Sequence, residues 1–420
     1  MIDLANKSNR DLENQLLIEC SQRLRNSAQT DRILRLFEHT LDWKYILTVA
    51  RKNAVFPLVG RNLIQNFSDS LPSATRDILN EQLHAHLQRN MFLTGKLLEI
   101  VQAFEASDIS ILPFKGPLLA AQVYGDLSVR QYVDLDILVQ PKQLESAVRL
   151  LQDEGYTPIS SIDWLNKSNW HLRDKKDIYF RSDDGLVNVE LHWKLSGSHF
   201  ALPFEMNGLW ARLENFSLAN VNLKTLPFDD LLIYLCLHGS RHGWEQFGWI
   251  CDVNELILSR DEINWDRLFE KARQLGCENV LGLGLYLVHE FFSREFPFRD
   301  WEKVKNDPMF LTFAKRIRSR LFTESHVVMA LGDRYAYHLK LKEDRRDKWR
   351  LHLHYILWYL RIIFTPRTTD TNIFNFPRGL EPLYYLMRPL RLFYNYALRS
   401  DKGGPFTVEH PNKLKESEPS

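Results

Sequence analysis

ILPFKGPLLAAQVYGDLSVRQYVDLDILVQ, residues 111–140, decides how the rest of this chain is read. It reads as strand, tight turn, short helix, loop, strand. A first strand over Ile109–Phe114 runs into Lys115-Gly116. Pro117 then opens a helix, where its fixed φ and missing N–H cost nothing. The next strand, Tyr132–Val139, alternates: Val133, Leu135, Ile137 and Val139 take one face, Asp134 and Asp136 the other. Neighbouring carboxylates on a sheet face repel each other. A divalent cation makes the arrangement favourable, because hard metals take carboxylate oxygens. Without one, the acids are expected to strain the sheet, so that removing one charge relieves it.

A third acid follows downstream. Ile178–Ser182 and Leu186–Trp193 form a hairpin pattern across Asp183-Asp184-Gly185. Val187, Val189, Leu191 and Trp193 make its apolar face, which leaves Asn188, Glu190 and His192 on the other. A strand carrying DxD beside a strand carrying one acid is what two-metal phosphoryl chemistry needs. Ions about 3.5–4 Å apart must share ligands from neighbouring backbones.

The run KGPLLAAQVYGD, the strand DLDILV and the later VELHW resemble the uncharacterised nucleotidyltransferase family of the polymerase-β-like superfamily. The resemblance implies an α+β fold whose core is a small mixed sheet with flanking helices. The chain is accordingly divided into an N-terminal helical region over 1–106, a catalytic core over 107–204, a C-terminal helical region over 205–400 and a disordered tail over 401–420. The implied reaction moves a nucleoside monophosphate from a nucleoside triphosphate such as ATP to an acceptor hydroxyl, releasing pyrophosphate. Asp134, Asp136 and Glu190 match the catalytic and metal-binding acids, with Mg²⁺, or alternatively Mn²⁺, as cofactor. Lys115, Gly116, Arg130, His238 and His242 are the candidate nucleotide-binding residues. Many superfamily members have Gly-Ser at the turn; here Pro117 follows Gly116, so backbone N–H groups and Lys115 must serve the phosphates. Arg130 has a competing role as a salt-bridge partner of Asp126.

The rest of the chain sets bounds on this reading. Charged residues are 25% and the formal net charge is +1, unlike the basic excess of a duplex-DNA binder. Cys20, Cys236, Cys251 and Cys277 show no CxxC spacing, and the polar N-terminus lacks an apolar signal core, so a cytoplasmic protein is expected. Asn9–Ala106 reads as helical, with a break at Ser68–Pro72. Leu79, Leu83, Leu87, Met91, Leu98 and Val101 are periodic within the last helix. A further helix runs from Pro141 to Gly155 with Leu144, Ala147, Val148 and Leu151 as its stripe. Trp164, Trp170, His171, Lys175 and Lys176 lie in a polar loop, where packing is preferred over contact with a base.

The block DDLLIYLCLHGSRHGWEQFGWICDVNELIL supports three readings of His238 and His242. Zinc is rejected, because HGSRH lacks the HExxH glutamate and no third ligand is near. A core pair bonded to Asp252 is the plain structural alternative. The resemblance favours a third, in which the HG…H.W…W..D pattern faces the nucleotide and His238, Arg241 or His242 meets the triphosphate. Beyond it, residues 261–399 read as helices rich in Arg and aromatics. Leu351–Phe364 falls short of the roughly 20 residues a bilayer span needs. Packing on its own domain is preferred there over peripheral contact with a membrane. Two rival functions are weighed. A DxD glycosyltransferase using Mn²⁺ requires a larger sheet before the DxD, where only helices precede Ile109. A non-catalytic nucleotide-binding protein would not need all three acids. The acceptor is left open among a small molecule, a carbohydrate, a protein side chain and an RNA end.

Overall fold

The computed structural model describes residues 6–23, 27–160, 162, 176–196, 206–364 and 383–397. The apolar runs flanking the two turns form β1 (Ile111–Pro113), β2 (Leu135–Val139), β3 (Tyr156–Pro158), β4 (Asp177–Ser182) and β5 (Asn188–His192). They make one mixed sheet in the order β1-β2-β5-β4-β3. β2 and β5 are parallel, and the other neighbours are antiparallel. All of β2 is buried, as a central strand covered on both faces should be. It begins later than the alternation suggested: Val133 is 46% exposed and Asp134 stands just ahead of the strand. The hairpin is closed by Gly185 at φ +73, with Asp184 accepting from the Leu186 backbone N–H at 2.9 Å.

Helices precede the sheet: α1 (Asn6–Cys20), α2 (Ser27–Phe37), α3 (Trp43–Lys52), α4 (Phe56–Phe67) and α5 (Ser73–Ala106). The break before α5 falls at a short 3₁₀ turn over Ser68–Ser70, as the Ser/Asp/Pro cluster predicts. The buried stripe of α5 differs from the expected one. Leu79 and Val101 are buried as expected, but Met91 is 60% exposed, and Asn90, Leu93, Leu97 and Phe104 face inward as well. Asn90 explains the shift. It is fully buried and its amide donates to the carbonyls of Leu127 at 2.5 Å and Arg130 at 3.0 Å. It thereby pins the loop that leads into β2.

Between β1 and β2 lies α6 (Gly116–Leu119), which continues as a π-helical turn over Ala120–Tyr124. Between β2 and β3 lies α7 (Leu144–Asp153), whose four stripe residues are all buried. After β5 come α8 (Met206–Ala211) and the hairpin β6 (Glu214–Leu218) with β7 (Val221–Thr225). The sequence reading did not contain this hairpin. Its two-residue turn puts Ala219 and Asn220 at φ 49 and 65, the geometry that suits a tight antiparallel reversal. The remaining elements are α9 (Phe228–Arg241), α10 (Phe247–Leu258), α11 (Trp265–Gln274), α12 (Glu278–Phe292), α13 (Trp301–Lys305), α14 (Pro308–Leu321), α15 (Leu331–Leu341), α16 (Arg345–Phe364) and α17 (Tyr384–Ala397).

Two apolar cores result. One joins the C-terminal half of α5 to the sheet and the α7 stripe. The other joins α1–α4 to α9, α10, α12 and α14, so helices from both sides of the sheet in sequence share one core. The backbone divides into two units, residues 1–348 and 349–420. The four cysteines are buried and free. No helix among the described residues is long and apolar enough to cross a membrane.

The turn after α9 is fixed by a close contact. Trp244, at φ 54, folds back over Gly239, where an added Cβ would lie 2.4 Å from the ring. Gly239→Ala is therefore expected to cost roughly 1–3 kcal/mol through overpacking. The check is a urea titration, in which the midpoint should fall with the slope unchanged.

Candidate active site

The β2–β5 register sets Asp136 directly beside Glu190, and Tyr179 of β4 lies on the far side of Glu190. His192, two residues along β5, is on the same face. Its Nε2 lies 3.3 Å from Asp136 Oδ1 and 3.3 Å from Glu190 Oε2. Its Nδ1 is buried without a hydrogen bond, 3.8 Å from Asp177 Oδ2. Ligand atoms from Asp136, Glu190 and His192 all fall within 4.8 Å of one another. Two carboxylates and an imidazole are a suitable donor set for a divalent cation. An acid placed behind the imidazole is the usual way of orienting a ligating histidine. The residues present therefore fit a metal ion.

Asp134 is half-buried and lies outside that group of three. Its backbone carbonyl sits 3.4 Å from where a Cβ on Gly116 would be. Gly116 has φ +53, a conformation that favours glycine, so a side chain there strains the backbone before it meets any ligand.

Lys115 changes the electrostatic account. Its Nζ donates to Asp136 Oδ1 at 2.9 Å, and it lies over the rings of Phe114 at 5.5 Å and Tyr234 at 5.8 Å. Burial opposes its charge, but Asp136, Tyr234 and Glu190 outweigh burial and hold its pKa above the ordinary lysine value. Burial likewise opposes the charge of Asp136, yet Lys115 and His192 pull that carboxyl well below the usual range. Glu190 is lowered too, burial being outweighed by the hydrogen bond from His192. The expected strain among the acids is thus relieved from within by a lysine and a histidine. The expectation that losing one acid leaves the metal-free fold equally or slightly more stable did not count these two partners.

A cluster of aromatic and basic side chains adjoins Tyr234 and Lys115. The rings of His238 and His242 lie 4.9 Å apart, and Trp249 sits 5.0 Å from the first and 5.5 Å from the second. Arg241 donates to His242 Nε2 at 2.8 Å. Both histidines are held well below the ordinary value, first by burial and then by the charges of Lys115, Arg241 and Lys176. Lys176, paired with Asp177, also lies within range of Glu190 and Arg241.

Two expected partners are replaced. Arg130 does not pair with Asp126. Its guanidinium forks onto Asp252 at 3.0 and 3.1 Å, and Tyr124 donates to the same carboxylate at 2.9 Å. Asp126 instead pairs with Arg61. Asp252 is therefore taken by Arg130 and Tyr124, and the histidines are not its partners. The sequence placed His192 on the right face without giving it a role, and it did not connect Lys115 to Asp136. Trp164, Trp170, His171 and Lys175 lie outside the described residues.

A mixed five-stranded sheet with flanking helices, carrying a buried Asp–Glu–His group that can hold a metal beside a lysine at a positive-φ glycine turn, defines an α+β protein. The family follows from comparison: a model described as uncharacterised nucleotidyltransferase matches residues 39–293, and the chain belongs to that family. No curated protein and no solved structure matches it.

Two outcomes are expected from the charges. Asp136→Asn leaves Lys115 without its buried counter-charge and should cost about 3 kcal/mol in metal-free buffer. Adding Lys115→Met should recover part of that loss in a chemical-denaturation cycle, whereas independent sites would simply add. The histidines set the acid response. In the unfolded chain they protonate near 6.5, but in the fold only at lower pH. Below pH 6.5 the unfolded state binds more protons, so stability falls with acid by up to about 1.4 kcal/mol per pH unit for each histidine. Thermal melts from pH 7 to 5 should show the fall, and His238→Asn/His242→Asn should flatten it.

Proposed function

We propose that the protein is a metal-dependent nucleotidyltransferase. It moves a nucleoside monophosphate from a nucleoside triphosphate, such as ATP, to an acceptor hydroxyl and releases pyrophosphate. The single observation that carries this reading is the side-by-side register of Asp136 and Glu190 on parallel β2 and β5, in a chain of nucleotidyltransferase family. Asp134, Asp136 and Glu190, joined by His192, would hold a divalent cation, Mg²⁺ or Mn²⁺. When bound, such an ion polarises phosphoryl oxygens and offsets the negative charge of the leaving pyrophosphate.

The other roles fall to this chain's own groups. Lys115, kept charged by its neighbours, turns from Asp136 towards the phosphates. Gly116 keeps the backbone bare for their approach. Lys176 and Arg241 offset the remaining phosphate charge, while His238 and His242 offer N–H donors from the adjoining cluster. The acceptor oxygen forms a bond to the α-phosphorus as the bond from that phosphorus to the bridging oxygen breaks. The acceptor's proton passes to the Glu190 carboxylate, and pyrophosphate leaves. Arg130 acts through Asp252, holding the loop before β2 against α10. The acceptor presents a hydroxyl, on a small molecule, a carbohydrate, a protein or an RNA end, and the +1 net charge speaks against duplex DNA.

Thermal melts with each nucleoside triphosphate test this. With Mg²⁺ or Mn²⁺, the correct nucleotide should stabilise the wild-type fold, by about 2.7 kcal/mol at a hundredfold excess over Kd. Glu190→Gln should lose roughly 10²-fold in transfer rate, the size of a general-base contribution. If no triphosphate raises the wild-type melting temperature with either metal, the proposal is wrong.

A further inference from the structure

We infer that α16 docks the protein on an anionic lipid surface. One face of this helix is buried, with Leu351 at 1% and Tyr355 at 8% exposure. The opposite face is apolar and open to solvent: Trp349 is 74% exposed, Leu353 and Ile356 are 56%, Leu357 is 55%, Leu360 is 45% and Phe364 is 43%. At the α-helical repeat these six side chains fall within an arc about 100° wide, the width of a helix face made to be covered. Burial therefore accounts for one side of the helix and leaves the other without a role. In the same unit α17 repeats the feature, with Tyr385, Leu386 and Leu390 all more than half exposed.

Charge selects the occupant. Arg345 and Arg346 open α16 and are both exposed. From Trp349 to Arg399 the sequence holds seven arginines and only two acids, in a chain whose net charge is +1; among the arginines whose exposure is described, Arg350 is exposed beside the stripe and Arg388 is buried. Twelve of those 51 residues are aromatic, about twice the 12% of the whole chain. An apolar stripe rich in aromatics and bordered by arginines matches the boundary between acyl chains and anionic headgroups. A second copy of the chain would bring the same arginines with few acids to meet them. The helix lies in the interface plane and does not cross it, since its length and polarity exclude a span.

The test uses the full-length protein in co-sedimentation with phosphatidylcholine vesicles, with and without phosphatidylglycerol. Wild type should bind the anionic vesicles at least about tenfold more tightly, and added salt should weaken that binding. Leu353→Glu/Leu357→Glu should abolish sedimentation with either vesicle, and Arg345→Glu/Arg346→Glu should remove the preference for phosphatidylglycerol. Both variants should melt like wild type, because the replaced side chains are exposed. The inference is overturned if wild type stays in the supernatant with anionic vesicles, or if Leu353→Glu/Leu357→Glu sediments unchanged. A melting temperature lowered in that variant would show the face to be packed within the fold. A concentration-dependent dimer in sedimentation equilibrium, lost in that variant, would assign it to a second copy.

Discussion

Asp136 and Glu190 are held side by side by the hydrogen-bond register of two parallel strands, and most of the surrounding structure answers that juxtaposition. Two ionised carboxylates on neighbouring backbones cannot be left in a poorly solvated site without opposing charge. Lys115 supplies it from the turn after β1, and His192 supplies an N–H shared between both acids. Aromatic faces from Phe114 and Tyr234 enclose the lysine and keep the pair dry enough to matter. The turn after β1 must therefore present Lys115 and begin the next helix at once, which Gly116 and Pro117 allow.

The same constraint orders the outer elements. The loop before β2 has to arrive with Asp134 and Asp136 in phase. Asn90 of α5 holds that loop by its carbonyls, and Arg130 ties it to Asp252 of α10. α10 in turn presents Trp249 against His238 in the last turn of α9 and His242 just after it. A helix before the sheet and a helix after it are thus joined through one loop.

How much of this was legible depends on sequence distance. The alternation in DLDILV and VELHW, the Asp-Asp-Gly turn and the four-residue stripe of α7 are local patterns, and each reappears in the structure. Lys115–Asp136 is a pair 21 residues apart, and Arg130–Asp252 is one 122 apart. No periodicity encodes which charges meet across such gaps, so the acids looked strained and Arg130 looked available. The β6–β7 hairpin went unread for another reason. ENFSLANVNLKT is largely polar, and its turn rests on left-handed Ala219 and Asn220 without a glycine. Within the α5 stripe Met91 is the residue that differs, because a buried asparagine, Asn90, takes the inward place beside it.

The central claim is that the acids serve attack at the α-phosphorus. Following the label from α-³²P and γ-³²P nucleoside triphosphates, incubated in parallel with the protein, Mg²⁺ and a cell extract as acceptor source, examines that directly. The account predicts α label on the acceptor and γ label in pyrophosphate. Transfer of γ label to the acceptor, or retention of both labels in unreacted triphosphate, would contradict it.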